Sequence, residues 1–208
     1  MKVTDLRQTS LERYTVCFED GTEIRSTLGA VSEYRVFKGR ELDPEKMEAF
    51  RKASIRSLTL EKSVEILSHR PMSCKELQDK LVHKGVEKDI AEYCASRLTE
   101  MGLIDETQYA SSVARHYSGK GYGAGRVRAE LSRRGIDREM WEEALSDMCP
   151  SDEKIDKLIR SKVTDPSDRE QVRKVSSSLF RRGYSWEEIR AGFKRYSSDV
   201  DIAEPEDD

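Results

Sequence analysis

The chain has 208 residues, of which 37% are charged and only 36% hydrophobic, a balance that argues against one large core and for several small units with thin ones. No apolar run approaches the roughly 20 residues that span a bilayer, and Met1-Lys2-Val3-Thr4-Asp5 lacks the apolar stretch of a signal peptide, so a soluble, cytoplasmic protein without a membrane partner is expected. The formal charge of −3 conceals a segregation: Asp199, Asp201, Glu204, Glu206, Asp207 and Asp208 crowd the last ten residues, and without those six acids the charge is +3.

In chain order, residues 2–7, 12–19 and 22–27 read as short strands, with Tyr14, Val16 and Phe18 alternating with polar neighbours and Asp20-Gly21 forming a favoured hairpin turn. Residues 1–42 are thus expected to form a small β-rich segment, closed by a helical step through Leu28, Val31 and Tyr34. Asp43-Pro44 supplies an N-cap followed by proline at the first helical position. Met47, Phe50, Leu58, Val64 and Leu67 then predict one long helix or two abutting ones, ending near Pro71, with residues 43–57 as a connecting helix. Ser73-Cys74-Lys75-Glu76 has capping-box form, and Ser185-Trp186-Glu187-Glu188 repeats it. Asp137 is expected to cap a helix holding Met140, Trp141, Ala144 and Leu145. After Tyr196 the acidic tail is expected to be disordered and to compete with nucleic acid for basic faces.

A repeat organises the helical part. Gly85, Gly135 and Gly183 are spaced 50 and 48 residues apart. Each follows a basic residue (Lys84, Arg134, Arg182), precedes an apolar one (Val86, Ile136, Tyr184), and has apolar residues four and eight positions upstream (Leu81 and Leu77; Leu131 and Val127; Leu179 and Val175). A motif recurring at that period predicts stacked helical units, here 58–105, 106–149 and 150–196, with residues 197–208 as tail.

Cys17, Cys74, Cys94 and Cys149 are scattered, without a Cys-x-x-Cys pair or histidines at ligand spacing, so neither a metal, a disulfide framework nor another cofactor is expected. His69, His83 and His116 lack a nearby nucleophile and orienting group, which leaves a catalytic triad unsupported. Gly119-Lys120-Gly121-Tyr122-Gly123-Ala124 matches Gly-x-Gly-x-x-Ala in form, but a helix precedes it where a dinucleotide site needs a strand, so it reads as a flexible turn between helices. Trp141 and Trp186 read as core residues. The basic residues are the remaining chemistry. Arg115, Lys120, Arg126, Arg128, Arg133 and Arg134 face only Glu130 over residues 110–136. On a helical wheel Ala124, Val127 and Leu131 point one way while Arg126, Glu130 and Arg133 point outward, free to meet an anion. A second cluster holds Arg173, Lys174, Arg181, Arg182, Arg190, Lys194 and Arg195, and such clusters neutralise phosphates.

Leu67-Ser68-x-Arg70-x-x-Ser73-x-x-Glu76-Leu77-x-x-Lys80-Leu81-x-x-Lys84-Gly85, then Gly102-Leu103-Ile104-Asp105-x-x-x-Tyr109-Ala110, then Lys120-Gly121-x-Gly123-x-x-Arg126-Val127-x-x-Glu130-Leu131-x-x-Arg134-Gly135-Ile136 together resemble the RecX family of bacterial recombination regulators. Leu179-x-x-Arg182-Gly183-Tyr184-Ser185 is similar to that family's closing segment, while Ala124 stands where the family commonly has proline. The resemblance implies a mainly α protein of tandem three-helix repeats in an elongated curved array behind the β-rich cap. It implies a protein without a catalytic site that lies along the RecA filament on single-stranded DNA, inhibits its ATP hydrolysis, extension and strand exchange, and so damps recombination and the SOS response; with no heptad seam to suggest a coiled-coil dimer, a monomer is expected. The partner- and DNA-binding candidates are Lys84, Arg115, Lys120, Arg126, Arg128, Arg133, Arg134, Arg181 and Arg182. Paired helices with a basic second helix also describe helix-turn-helix readers, so direct nucleic-acid binding independent of RecA is the alternative.

Overall fold

A computed structural model describes residues 1–197; the expectations for the acidic tail beyond them lie outside the described residues. The chain divides into two compact units, one spanning Met1–Ile104 and one beginning at Asp105. Among the described residues no helix is long and apolar enough to cross a membrane.

The first unit opens with an antiparallel sheet of β1 (Val3–Ser10), β2 (Arg13–Phe18) and β3 (Glu23–Thr27) in that order, Val16 standing between Leu6 and Ile24. The strand β1 runs to Ser10, past the expected end at residue 7, because Gln8 and Ser10 still pair with Tyr14 and Arg13 of β2. Helix α1 (Leu28–Glu33) follows at once, with the Thr27 side chain accepting from the Ala30 amide. One face of the sheet buries Val3, Val16, Phe18 and Ile24 against Val31, Met47 and Phe50, which gives a three-stranded sheet the cover it needs to persist.

Pro44–His69 is a single uninterrupted helix, α2, of 26 residues, so the boundary expected at residue 57 falls inside it. Its buried face changes side along its length. At about 100° per residue Met47, Phe50 and Ser54 fall on one side, whereas Thr59, Ser63 and Ile66 fall roughly opposite. The first stripe meets the sheet, where the Ser26 and Ser54 hydroxyls lie 2.9 Å apart and Thr27 donates to Ser57 at 3.0 Å. The second stripe joins α3 (Cys74–His83) and α4 (Lys88–Glu100) around Leu77, Leu81, Ile90, Cys94 and Leu98. Val64, one of the apolar residues that predict the helix, is exposed, because it lies off both stripes.

The second unit contains two more three-helix groups. Helices α5 (Glu106–Gly119), α6 (Ala124–Arg133) and α7 (Trp141–Ser146) enclose Val113, Val127, Leu131 and Ile136. Helices α8 (Asp152–Lys162), α9 (Arg169–Arg181) and α10 (Trp186–Tyr196) enclose Ile155, Ile159, Leu179, Ile189 and Phe193. Asp137 does not cap with its side chain; a short 3₁₀ turn, Arg138–Met140, precedes α7 and satisfies its amides by backbone contacts. Trp141 is partly buried and donates its indole N–H to the Ile136 carbonyl at 3.0 Å.

The repeated glycines end the middle helix of each group in the same way. Gly85, Gly135 and Gly183 take φ of +86°, +72° and +88°. Each donates back to a carbonyl of the last turn, and the apolar residue that follows donates to the buried leucine: Val86 to Leu81, Ile136 to Leu131 and Tyr184 to Leu179. This is the Schellman arrangement, whose left-handed position penalises a Cβ and whose closing apolar contact explains both neighbours of the glycine in the motif.

Candidate functional site

The basic candidates of the second unit gather where α6 begins and α9 ends. The contact between these two helices is made by backbone. The Gly123 amide donates to the Arg182 carbonyl and the Gly125 amide to the Gly183 carbonyl, both at 2.9 Å. A Cβ on Gly123 would lie 2.4 Å from the Gly183 oxygen, and one on Gly183 would lie 2.2 Å from the Arg126 nitrogen. The glycine-rich stretch is therefore a close-packed seam and not a flexible turn. The Gly123 and Gly125 amides, which a dinucleotide motif would offer to phosphate, are taken by carbonyls.

Glu130 corrects the helical-wheel expectation. It is only 5% exposed, accepting from Arg126 at 3.1 Å and from Arg133 at 2.9 Å and 3.1 Å, with Arg134 at 3.8 Å. Arg134 stands seven residues after Val127, two turns on, so it shares the core side of α6; there it donates to the Tyr109 hydroxyl and covers the Tyr109 ring. Burial pushes the Glu130 carboxyl up, but hydrogen bonds from Arg133 and Tyr117 and the charges of Arg133 and Arg126 outweigh it and hold the pKa below its usual value. Arg126 and Arg133, read as pointing outward to meet an anion, thus join Arg134 in organising a buried carboxylate, although both still keep exposed surface.

Two clefts flank the seam. One, of about 490 Å³, is bordered by Arg126 and Arg128 of α6, by Phe180 and Arg181 at the end of α9, and by Glu188 of α10. The other, of about 390 Å³, is bordered by Lys120 and Gly121, by Lys154, Lys157 and Ser161 of α8, and by Arg182. Among the described residues no carboxylate lines the second, and none of its four cations makes an ion pair. In the first, Glu188 is already engaged, accepting from the Ser185 amide at 2.8 Å and the Ser151 hydroxyl at 3.0 Å. Arg181 and Arg182, adjacent in sequence, each serve a different cleft.

The remaining candidates stand elsewhere. Arg115 pairs with Asp147 at 3.1 Å on the surface of α5 and α7. Arg128 reaches Glu142 at 3.6 Å in an exposed pair. Lys84 belongs to the first unit, exposed at the C-cap of α3. Lys154, Lys157 and Phe180 were not singled out from sequence. The two lysines do share a helix face with i,i+3 spacing, a signal hidden by the surrounding acids Asp152, Glu153 and Asp156.

Residues 60–98 match the family model described as the RecX first three-helix domain, and residues 105–145 match that of its second three-helix domain. The regulatory protein RecX of Xanthomonas axonopodis pv. citri (strain 306) is 37% identical over 135 residues, covering 64% of this chain and 83% of the relative. That of Stenotrophomonas maltophilia (strain R551-3) is 35% identical over 162 residues, covering 76% and 98%. Among solved structures, a crystal structure of regulatory protein RecX superimposes with a TM-score of 0.77 over 92% of this chain and 98% of its own, at 23% identity, a likeness of fold. RecX from Lactobacillus salivarius gives a TM-score of 0.59 at 25% identity, covering 69% of this chain and 97% of its own.

Proposed function

The chain belongs to the RecX family of regulatory proteins, and from that premise we propose that it is a non-enzymatic, cytoplasmic regulator that binds the RecA filament on single-stranded DNA as a monomer and inhibits its ATP hydrolysis, extension and strand exchange. In that role it damps recombination and the SOS response. Membership of the family carries the choice of partner. What supports the choice of surface is the pair of basic clefts beside the α6–α9 seam, which keep positive charge in fixed positions where acidic protein surface or phosphate can meet it.

The seam also favours this reading over a helix-turn-helix reader. A recognition helix presents its N-terminal residues to base edges, whereas Gly123 and Gly125 at the start of α6 are packed on Gly183.

The test is RecA's DNA-dependent ATP hydrolysis with the protein added at substoichiometric and equal amounts, alongside filament length by electron microscopy. Inhibition and shorter filaments are expected; an unchanged rate with unchanged length would sink the proposal. Charge reversal belongs at Arg181 and Lys157, which hold no carboxylate in the described fold. At Arg126 or Arg133 it would strand buried Glu130 and confuse binding with stability. The reversed variants should melt like the parent and inhibit less.

A further inference from the structure

Packing does not account for the place of Phe180. It is half exposed on the last turn of α9, outside the hydrophobic cluster of its own three-helix group. Its ring lies nearly parallel to that of Trp186, with centroids 5.1 Å apart and planes 19° from one another. Trp186 is held in place: it packs against the cluster and stands directly after the Ser185 capping box of α10. A fixed indole therefore backs the phenyl ring, and half-exposed Phe180 borders the same cleft as Arg126, Arg128 and Arg181.

A flat ring held rigid from behind and fringed by guanidinium groups has the chemistry of a single-strand site. Every nucleobase has a face that can stack on an aromatic ring, and arginine meets the phosphates on either side. Arg181 makes no ion pair among the described residues. The exposed Arg128–Glu142 contact at 3.6 Å is a weak one that a phosphate can replace. Glu188, the acid of the cleft among the described residues, is engaged by Ser185 and Ser151. An acidic peptide would satisfy the arginines but would leave the ring without a planar partner.

We propose that the cleft between α6 and the α9–α10 corner is a binding site for single-stranded nucleic acid, with one base stacked on Phe180 and the flanking phosphates on Arg128 and Arg181. The inference deepens the filament reading and rests on it only in taking this cleft as a working surface, since binding to a free strand needs no RecA.

The experiment is fluorescence anisotropy of the full chain with a short labelled oligothymidine, without RecA, over a series of salt concentrations. Phe180→Ala should weaken binding about tenfold or more while leaving the salt dependence unchanged, because a stack and not a phosphate contact is lost. Phe180→Trp should restore it, and Arg181→Ala should weaken binding and also flatten the salt dependence. An oligonucleotide of abasic sites should bind the parent no better than the intact strand binds Phe180→Ala, an arm that depends on no variant folding. Equal binding by parent and Phe180→Ala, or abasic strands bound as tightly as intact ones, would overturn the proposal in favour of plain phosphate attraction. Competition by a polyglutamate peptide that is itself sensitive to Phe180→Ala would overturn it in favour of a peptide site. A parent that inhibits RecA yet ignores the free strand would remove this inference and leave the preceding one standing.

Discussion

Substituting alanine at three glycines of the second unit separates two reasons for a glycine. Gly121 has φ of +82° with only the end of a flexible side chain, Arg182 Nη1, 3.6 Å from a Cβ, so Gly121→Ala carries the left-handed backbone cost alone, about 1–2 kcal/mol. Gly123 has φ of −84° and ψ of 175°, angles open to alanine, but its Cβ would lie 2.4–2.5 Å from backbone atoms of Gly183 and Tyr184. Backbone cannot rotate away as a side chain can, so α6 and α9 must part by about an ångström and give up two hydrogen bonds of 2.9 Å. At about 1 kcal/mol for each bond, with added packing loss, Gly123→Ala should cost about 2–4 kcal/mol. Gly183→Ala combines both penalties and should be the worst of the three, at about 4–5 kcal/mol. Both tryptophans of the chain, Trp141 and Trp186, lie in the second unit, so urea titrations followed by tryptophan fluorescence report the unit that carries all three changes. Gly123→Ala melting within about 0.5 kcal/mol of the parent, or Gly183→Ala no worse than Gly121→Ala, would refute the seam as a backbone contact.

Glu130→Gln should lower stability by about 1–2 kcal/mol at neutral pH, since the carboxylate accepts charged hydrogen bonds from partners that are themselves partly exposed. Its folded pKa is depressed, so this contribution is full above the ordinary value of 4.5 and is lost as the pH falls through the folded value; parent and variant should converge in acid, and a gap that is constant with pH would contradict the assignment. Burial pushes the Cys94 thiol up to about 11, offset in part by Arg56, so a thiol reagent at about pH 8 should label exposed Cys149 in the native protein and Cys94 only after unfolding; equal rates by mass spectrometry would disprove the burial. Ser73→Ala and Ser185→Ala each remove a reciprocal cap and should cost about 1 kcal/mol in urea melts; unchanged midpoints would show the caps to be idle.

Features whose partners lie close in sequence were legible without coordinates. The capping boxes at Ser73 and Ser185 join residues three apart, and the Schellman glycines are satisfied within their own helix ends, so both left local signatures. Gly123 and Gly125 could not be read this way: the reason for them is the backbone of residues 182–184, far along the chain and invisible to periodicity. Glu130 was misread because a helical wheel assigns a charged residue flanking the apolar stripe to solvent, whereas three arginines allow it to be buried. The reading of α2 left its number of helices open for a related reason, since two stripes on different sides blur any single period. At the clefts, the arginines were visible as charge, but their division by the seam into two groups, and the meeting of Lys154 and Lys157 with Lys120 and Arg182, is a product of tertiary packing.

The change of buried side along α2 makes the number of residues between Ser54 and Thr59 a phase setting. Deleting one residue there would turn the second stripe about 100° relative to the first, so that either the sheet or the first helical group loses its cover. Inserting seven would advance the helix by almost two whole turns, restoring the angular relation to within about 20° while moving the two cores about 10 Å further apart. Along this helix, tolerance to insertion and deletion is therefore set by rotation and not by length, and chains that differ here should differ by whole turns.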